Sequence, residues 1–141
     1  MASPKQEAEL LMNAVLPFAE QMLRQHGEFY PYGGIMRPDG SIAPVGMQDP
    51  TTDRPRSATV IETLRQELRA RVERNEAKAA AIVFDVQVTP PGAGHKTDAI
   101  EVLVQHRDSY CAEVFFPYQL KNGQLSLGQV FAQSCGTQIL S

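Results

Sequence analysis

The sequence has few of the features that mark secreted, membrane or nucleic-acid-binding proteins. It has only two cysteines in 141 residues, and they form no Cys-x-x-Cys pair. No run approaches 18 consecutive apolar residues, so we expect no membrane span, and residues 1–13 lack the apolar core of a signal peptide. Two reduced thiols in a cytoplasmic protein are the favoured interpretation. A bridge between Cys111 and Cys135 is the less favoured alternative.

The totals for charge and composition predict one soluble domain over residues 1–141. Domains usually hold ~100–200 residues, and 43% hydrophobic with 21% charged residues is typical of globular proteins. The net charge is only −3. Residues 54–78 carry six Arg and one Lys against four Glu, but they contain no aromatic residues to stack on bases. We therefore expect no nucleic-acid partner.

The sequence indicates two helices, one before and one after the first strand pair along the chain. The first is bounded by a Ser3-x-x-Gln6 capping box and a stop at Gly27. The second begins with a Thr59-x-x-Glu62 capping box. Its apolar stripe has helical spacing and consists of Ile61, Leu64, Leu68 and Val72.

The remaining segments alternate with the period of two that is typical of strands. A Pro-Asp-Gly turn joins the runs 32–36 and 42–47 into a hairpin, and Pro44 favours a sheet edge for the second run. Residues 48–56 are predicted to form a polar loop. Pro117 is expected to end ladder pairing in its strand. The later predicted strands are 80–89, 98–106, 110–118 and 124–132.

The element order αββαββββ predicts an α+β fold. We expect an antiparallel sheet of five or six strands with two helices packed on one face. The order is similar to that of profilin-like and roadblock-like domains, in which the first hairpin joins the later strands. Order alone implies no function.

No motif in the chain indicates a catalytic centre, a metal site or a cofactor. Residues 90–97 look like a phosphate-binding loop, but His95 stands where glycine must precede Lys96, and a strand follows where a helix is needed. The three histidines are isolated from one another, which does not favour metal binding. Asp85, Glu101 and Glu113 are expected to line one exposed face of the sheet (three polar strand positions).

One enzymatic alternative stays open, a hydrolase or transferase that uses Cys111 with His106. The two residues lie five positions apart on neighbouring predicted strands. A nucleophilic cysteine needs such a base and an electropositive, partly exposed setting. A buried structural cysteine is the favoured interpretation.

Aromatic residues cluster at two strand ends that contain proline. Seven of the ten aromatics lie in residues 29–32 and 110–118, and both blocks end in aromatic-Pro-Tyr. If the first hairpin meets the later strands, the tyrosines would form an amphipathic binding patch with the glycine backbone. Core filling by the phenylalanines is the alternative. The candidate binding residues are Tyr30, Tyr32, Gly33, Tyr110 and Tyr118.

The same segments carry a resemblance to a known set of proteins. GEFYPYGG at 27–34, the Asp-Gly turn, and DAIEVLVQHRDSYCAEVFFPY at 98–118 are similar to small bacterial proteins with a Glu-Phe-Tyr-Pro-Phe-Gly signature and no established activity. The resemblance covers about half of the chain, and Tyr32 stands where the signature has Phe. Similar stand-alone bacterial domains are often immunity or accessory proteins, so the resemblance implies an accessory role.

These features favour a non-enzymatic interaction module of bacterial type that self-associates. The strand 80–89 is long, apolar on one face and free of Pro and Lys, so at a sheet edge it would need a partner strand. We expect a homodimer through this edge, or another protein partner, and no membrane partner. The alternative is a small-ligand-binding domain, with a pocket between the second helix and the sheet that is rimmed by the four tyrosines.

Overall fold

The chain folds as α+β, with two helices and a seven-stranded antiparallel sheet, which confirms the predicted class. The structure is a computed structural model and describes residues 3–46, 57–133, 135 and 139. The strand order is β2-β1-β3-β4-β5-β6, with β7 paired to β5. The elements are α1 (Pro4–His26), β1 (Tyr32–Met36), β2 (Ile42–Val45), α2 (Ser57–Glu73), β3 (Ala79–Val88), β4 (Thr97–His106), β5 (Tyr110–Lys121), β6 (Gln124–Leu127) and β7 (Phe131–Gln133).

The two helices pack on opposite faces of the sheet, so the expectation that they share one face is wrong. On the α1 face, Tyr32 and Val83 join the core that α1 covers. On the α2 face, Ile35 and Ile82 pack with α2. The run Ala79–Val83 is buried at every position. A continuous apolar run of this kind is typical of a strand covered on both sides, and the prediction did not use it.

The termini of α1 follow the local signals in the sequence. The Ser3 hydroxyl accepts the Gln6 N–H and the Gln6 side chain accepts the Ser3 N–H, as the predicted capping box requires. Gly27 ends the helix in the left-handed conformation. For α2 the prediction is wrong, because the helix begins at Ser57 and Thr59 lies inside it. The predicted polar loop 48–56 lies outside the described residues.

Small residues in β1 and β3 allow both helices to approach the sheet closely. A Cβ on Gly34 would lie 2.5 Å from Val15 Cγ1 of α1. On the other face, a Cβ on Gly33 would lie 3.3 Å from Leu68 Cδ1 of α2, and 2.7 Å from the Ala81 carbonyl oxygen. The glycine pair therefore serves the packing of two helices against one strand.

The strand β5 continues through Pro117 to Lys121, so the prediction that Pro117 ends pairing is wrong. Pro117 still pairs with Ala99 of β4, and on the other side its carbonyl accepts the Gly128 N–H. At this point the register along β5 shifts by one residue between Tyr118↔Leu127 and Phe115↔Phe131. This bulge divides the expected last strand 124–132 into β6 and β7, which explains why the predicted strand number was too low.

The connections also follow their sequence signals. Asn122 and Gly123 both have positive φ in the β5–β6 turn, as the predicted hairpin requires. The 90–96 segment leads into β4 and not into a helix, which confirms that it is not a phosphate-binding loop of the kind considered. Neither described helix is long and apolar enough to cross a membrane.

The contact at Gly34 gives a direct test of the two-sided packing. Gly34→Ala would force Val15 and α1 away from the sheet, so we expect the free energy of unfolding to fall by about 1–3 kcal/mol. Gly128→Ala is the matched control, because its Cβ would lie 3.4 Å from Pro117 Cβ, close to ordinary contact. Denaturant unfolding of both variants checks this. Equal stability of Gly34→Ala and the native protein would contradict the packing described.

Candidate functional site

Tyr32 is a core residue whose hydroxyl group is bound to α1. Its side chain is fully buried, and its hydroxyl donates to the Val15 carbonyl and accepts the Ala19 N–H at 3.0 Å. It therefore bridges two groups that would otherwise bond to each other within the helix. Pro17, which lacks an N–H, lies between them. Burial raises the pKa of the Tyr32 hydroxyl well above its usual value.

The other candidate tyrosines do not surround one cavity. Tyr110 lies at one end of the β4-paired part of β5 and Tyr118 lies one residue beyond the other end, and both side chains are on the α1 face. Tyr30 is half-buried in the segment between α1 and β1. Each of the four clefts that we describe contains at most one of these tyrosines. One cleft does lie between the end of α2 and the β4–β5 turn, but Tyr110 is the only one of the four tyrosines in its lining. The expected pocket rimmed by all four tyrosines is therefore not among these clefts.

Tyr118 instead binds the side chain of Asp85, a residue in the second half of β3. Its hydroxyl donates to Asp85 Oδ1 at 2.9 Å across β4. Burial, and then the charge of Asp85, raise the pKa of Tyr118 above its usual range. Desolvation likewise raises the pKa of the Asp85 carboxyl, while the Tyr118 bond opposes that rise. A cleft of about 350 Å³ lies beside Tyr118 and is also lined by His95 and Thr97.

The second half of β3 has one open side. β1 pairs with Ala79–Val83 only, whereas β4 pairs with β3 along its full length. Within the described part of the chain, Phe84–Val88 therefore has a partner strand on one side alone. The strand 80–89, expected at a sheet edge, is interior over its first half and open only over the second.

The backbone alternation identifies which groups face the open side. The Lys78 carbonyl accepts from Arg107, the residue that follows β4, whereas the Ala81 carbonyl lies against β1, next to Gly33. Because backbone groups alternate in direction along an antiparallel strand, Asp85 and Gln87 direct their N–H and C=O groups to the open side. Their side chains lie on the α1 face.

Cys111 and His106 cannot act together, because their side chains are on opposite faces of the sheet. Cys111 belongs to the α2 face and is bonded to Cys135, with 5.9 Å between the two Cα atoms. The prediction of two reduced thiols is therefore wrong. Since stable disulfides are rare in reducing compartments, the cysteines no longer support a cytoplasmic location. The Cys/His hydrolase or transferase loses its nucleophile and its geometry.

His106 belongs to a polar cluster that the sequence did not reveal. Its ring is buried, Nδ1 accepts the Asp108 N–H at 3.0 Å, and Nε2 lies 2.9 Å from Glu7 Oε1. Since Nδ1 is an acceptor, Nε2 carries the proton and donates to Glu7. Glu7 also forms an ion pair with Lys78, and the bonds from Lys78 and His106 lower the pKa of its carboxyl. The cluster ties the start of α1 to the end of β4 and to the residue that precedes β3.

A second unexpected group is a pair of buried carboxyls on the α2 face. Glu101 and Glu113 are each less than 10% exposed, and the Gln133 amide donates to Glu113 Oε2 at 3.0 Å. Burial, and then the charge of Glu113, raise the pKa of Glu101 to about 7. Asp85 lies on the other face, so the expectation that the three acids line one exposed face is wrong. The reason is that residues 101 and 85 have opposite parity in the β3–β4 register, where Asp85 pairs with Ile100.

Comparisons with other proteins add no functional assignment. No protein-family model, no curated protein and no solved structure matches the chain. The resemblance to the bacterial signature proteins stays a prediction. Within the described residues, no group of three or more His, Cys, Asp or Glu side chains could hold a metal ion.

The role of Tyr32 can be tested by removing its hydroxyl. Tyr32→Phe would remove the hydroxyl that binds the Val15 carbonyl and the Ala19 N–H, and would leave these two buried groups too far apart to bond to each other. We therefore expect a loss of about 1–3 kcal/mol in the free energy of unfolding. Tyr110→Phe, at a half-buried tyrosine on the same face, is the matched control and should cost less than Tyr32→Phe. Thermal or denaturant unfolding measures both. If the two variants lost the same stability, the Tyr32 bridge would have no special role.

The carboxyl pair predicts a pH dependence of stability. The pKa of Glu101 is raised from 4.5 to about 7, so the folded protein holds a proton that the unfolded chain releases between these values. Stability from this group is therefore present at low pH and decreases as pH rises through that window. We expect Glu101→Gln to stabilise the protein at pH 8 by roughly 1–3 kcal/mol relative to its effect at pH 4.

The control for this titration is Glu9→Gln, at an exposed position of α1. It should change stability by a similar amount at both pH values. Parallel stability curves for Glu101→Gln and the native protein from pH 4 to 8 would contradict the shared burial of the two carboxyls.

Proposed function

We propose that the protein is a non-enzymatic interaction module that self-associates through the open half of β3. The observation that carries this proposal is the pairing pattern of Phe84–Val88, which has β4 on one side and no described strand on the other. A strand edge of this kind is a template for a second strand. The most economical partner is the same segment of a second copy, because a closed dimer removes both open edges at once.

The alternation of the backbone favours one register for such a dimer. If a two-fold axis passes through Val86, Asp85 of one protomer lies opposite Gln87 of the other. Both residues direct their N–H and C=O groups outward, so each pair exchanges two hydrogen bonds and the dimer gains four across the axis. A register centred on Asp85 would place the two Asp85 residues opposite each other and would pair Gln87 with Val83, whose outer side β1 already occupies.

The side chains of this segment suit the same register. On the α1 face, the Asp85 carboxylate would meet the Gln87 amide, an acceptor opposite a donor. The bond from Tyr118 holds Asp85 in place for this contact. On the α2 face, half-buried Phe84 and Val88 would lie opposite each other, and Val86 would meet its own copy. These cross-strand pairs add apolar burial to the backbone bonds.

Tyr118 takes part in binding under this proposal, but through Asp85 and not by contact with a ligand. Tyr118 acts as a positioning residue for Asp85 and not as the rim of a ligand pocket. The accessory role in a bacterial cell that the signature resemblance implies is compatible with a small self-associating domain, and it rests on that resemblance alone.

The first test is the molar mass in solution. Light scattering coupled to size-exclusion chromatography should give twice the 15.5 kDa of one chain at high protein concentration, with dissociation on dilution. A constant mass of one chain at all concentrations would contradict the proposal.

Two substitutions at Gln87 should then move the dimer equilibrium in opposite directions. Gln87→Asp places two carboxylates opposite each other at both symmetric contacts, so we expect the dimer Kd to rise about tenfold. Gln87→Lys faces Asp85 of the other protomer and should lower the Kd. Gln119→Asp, at an exposed position of β5, is the matched control. A dimer that responded equally to Gln87→Asp and Gln119→Asp would use another surface.

A further inference from the structure

The described residues beyond β7 are attached to the α2 face at two points. Cys135 is bonded to Cys111 of β5. Ile139 is fully buried in the core beneath α2, its N–H donates to Gln105 Oε1 at 2.8 Å, and its carbonyl accepts the Arg69 Nε–H at 3.0 Å. The first attachment is covalent, and the second is one side chain with two hydrogen bonds.

The covalent attachment is open to small molecules in solution. Cys111 and Cys135 are only half-buried, and Cys111 lines a cleft of about 480 Å³ between the end of α2 and the β4–β5 turn. The cleft is also lined by Arg107 and by the hydroxyl-bearing residues Ser109 and Tyr110. Exchange begins when a thiolate reaches a sulfur of the bridge, so this cleft gives a small thiol a route to Cys111.

We propose that the Cys111–Cys135 bond is a redox latch that low-molecular-weight thiols open from this cleft. An external thiolate attacks one sulfur of the bridge, forms a mixed disulfide with it and expels the other cysteine as a thiolate. A second external thiol then attacks the mixed disulfide. The bridge gains two electrons and becomes two thiols with protons from the external thiols or the solvent, and the two external thiols leave as their own disulfide.

The position of the bridge makes it a latch for one segment. Both helices and all seven strands are formed by residues up to Gln133, and the β4–β5 ladder holds Cys111 in place by its backbone pairing with Gln105. Reduction therefore leaves the sheet and its two helices intact. After reduction, Ile139 is the remaining described attachment of this segment. If Ile139 leaves the core, its hydrogen bonds with Arg69 and Gln105 are broken.

The experiment compares oxidised and reduced full-length protein. The oxidised chain is equilibrated in reduced and oxidised glutathione at millimolar total concentration without denaturant, and the free thiols are alkylated and counted by mass spectrometry. Amide hydrogen exchange is then measured on both forms. We expect the bridge to open under these conditions and the Ile139 amide to exchange at least about tenfold faster in the reduced form, while β3 and β4 amides keep their protection.

The variant Cys135→Ser separates a latch from a structural bridge. It should fold, and its Ile139 amide should show the fast exchange of the reduced native protein both with and without reduced glutathione. Three results would each overturn the proposal: a bridge that opens only in denaturant, an Ile139 amide equally protected in both forms, or loss of β3 and β4 protection on reduction. Failure of Cys135→Ser to fold would also overturn it.

Discussion

The fold depends on the contact of two helices with the same pair of small-residue strands from opposite sides. β1 contributes Gly33 and Gly34, and β3 contributes the buried alanines at the start of Ala79–Val83. Without large side chains between them, Val15 of α1 and Leu68 of α2 approach the sheet backbone directly. Burial of both faces makes these strands the centre of the domain.

Several polar side chains stabilise this arrangement of helices and strands. Fewer side chains therefore remain as candidates for binding or catalysis. Tyr32 joins β1 to α1 through its hydroxyl, and His106 with Lys78 joins the sheet to Glu7 at the start of the same helix. Cys111 is bonded to Cys135. The residues that a sequence reader would choose for binding or catalysis therefore act in the framework. The backbone edge of β3 is the strongest remaining candidate for function.

Local signals in the sequence predicted local structure, but they do not show which distant segments pair as neighbouring strands. The Ser3 capping box, the Gly27 stop and the Asn122-Gly123 turn each depend on neighbouring residues alone. The place of β3 between β1 and β4 depends on a pairing between segments more than 40 residues apart along the chain, and the side of the sheet that each helix covers follows from it. The disulfide was missed for the same reason, since a spacing of 24 residues does not reveal that two Cα atoms are close.

Self-association through β3 is the central claim, and the amide protons of that strand report on it individually. We expect the Val86 amide to be protected from hydrogen exchange by β4 at every protein concentration. The amides of Asp85 and Gln87, which face the open side, should exchange rapidly in dilute protein and become protected as concentration rises. Protection of Asp85 and Gln87 that does not change with concentration would contradict the claim.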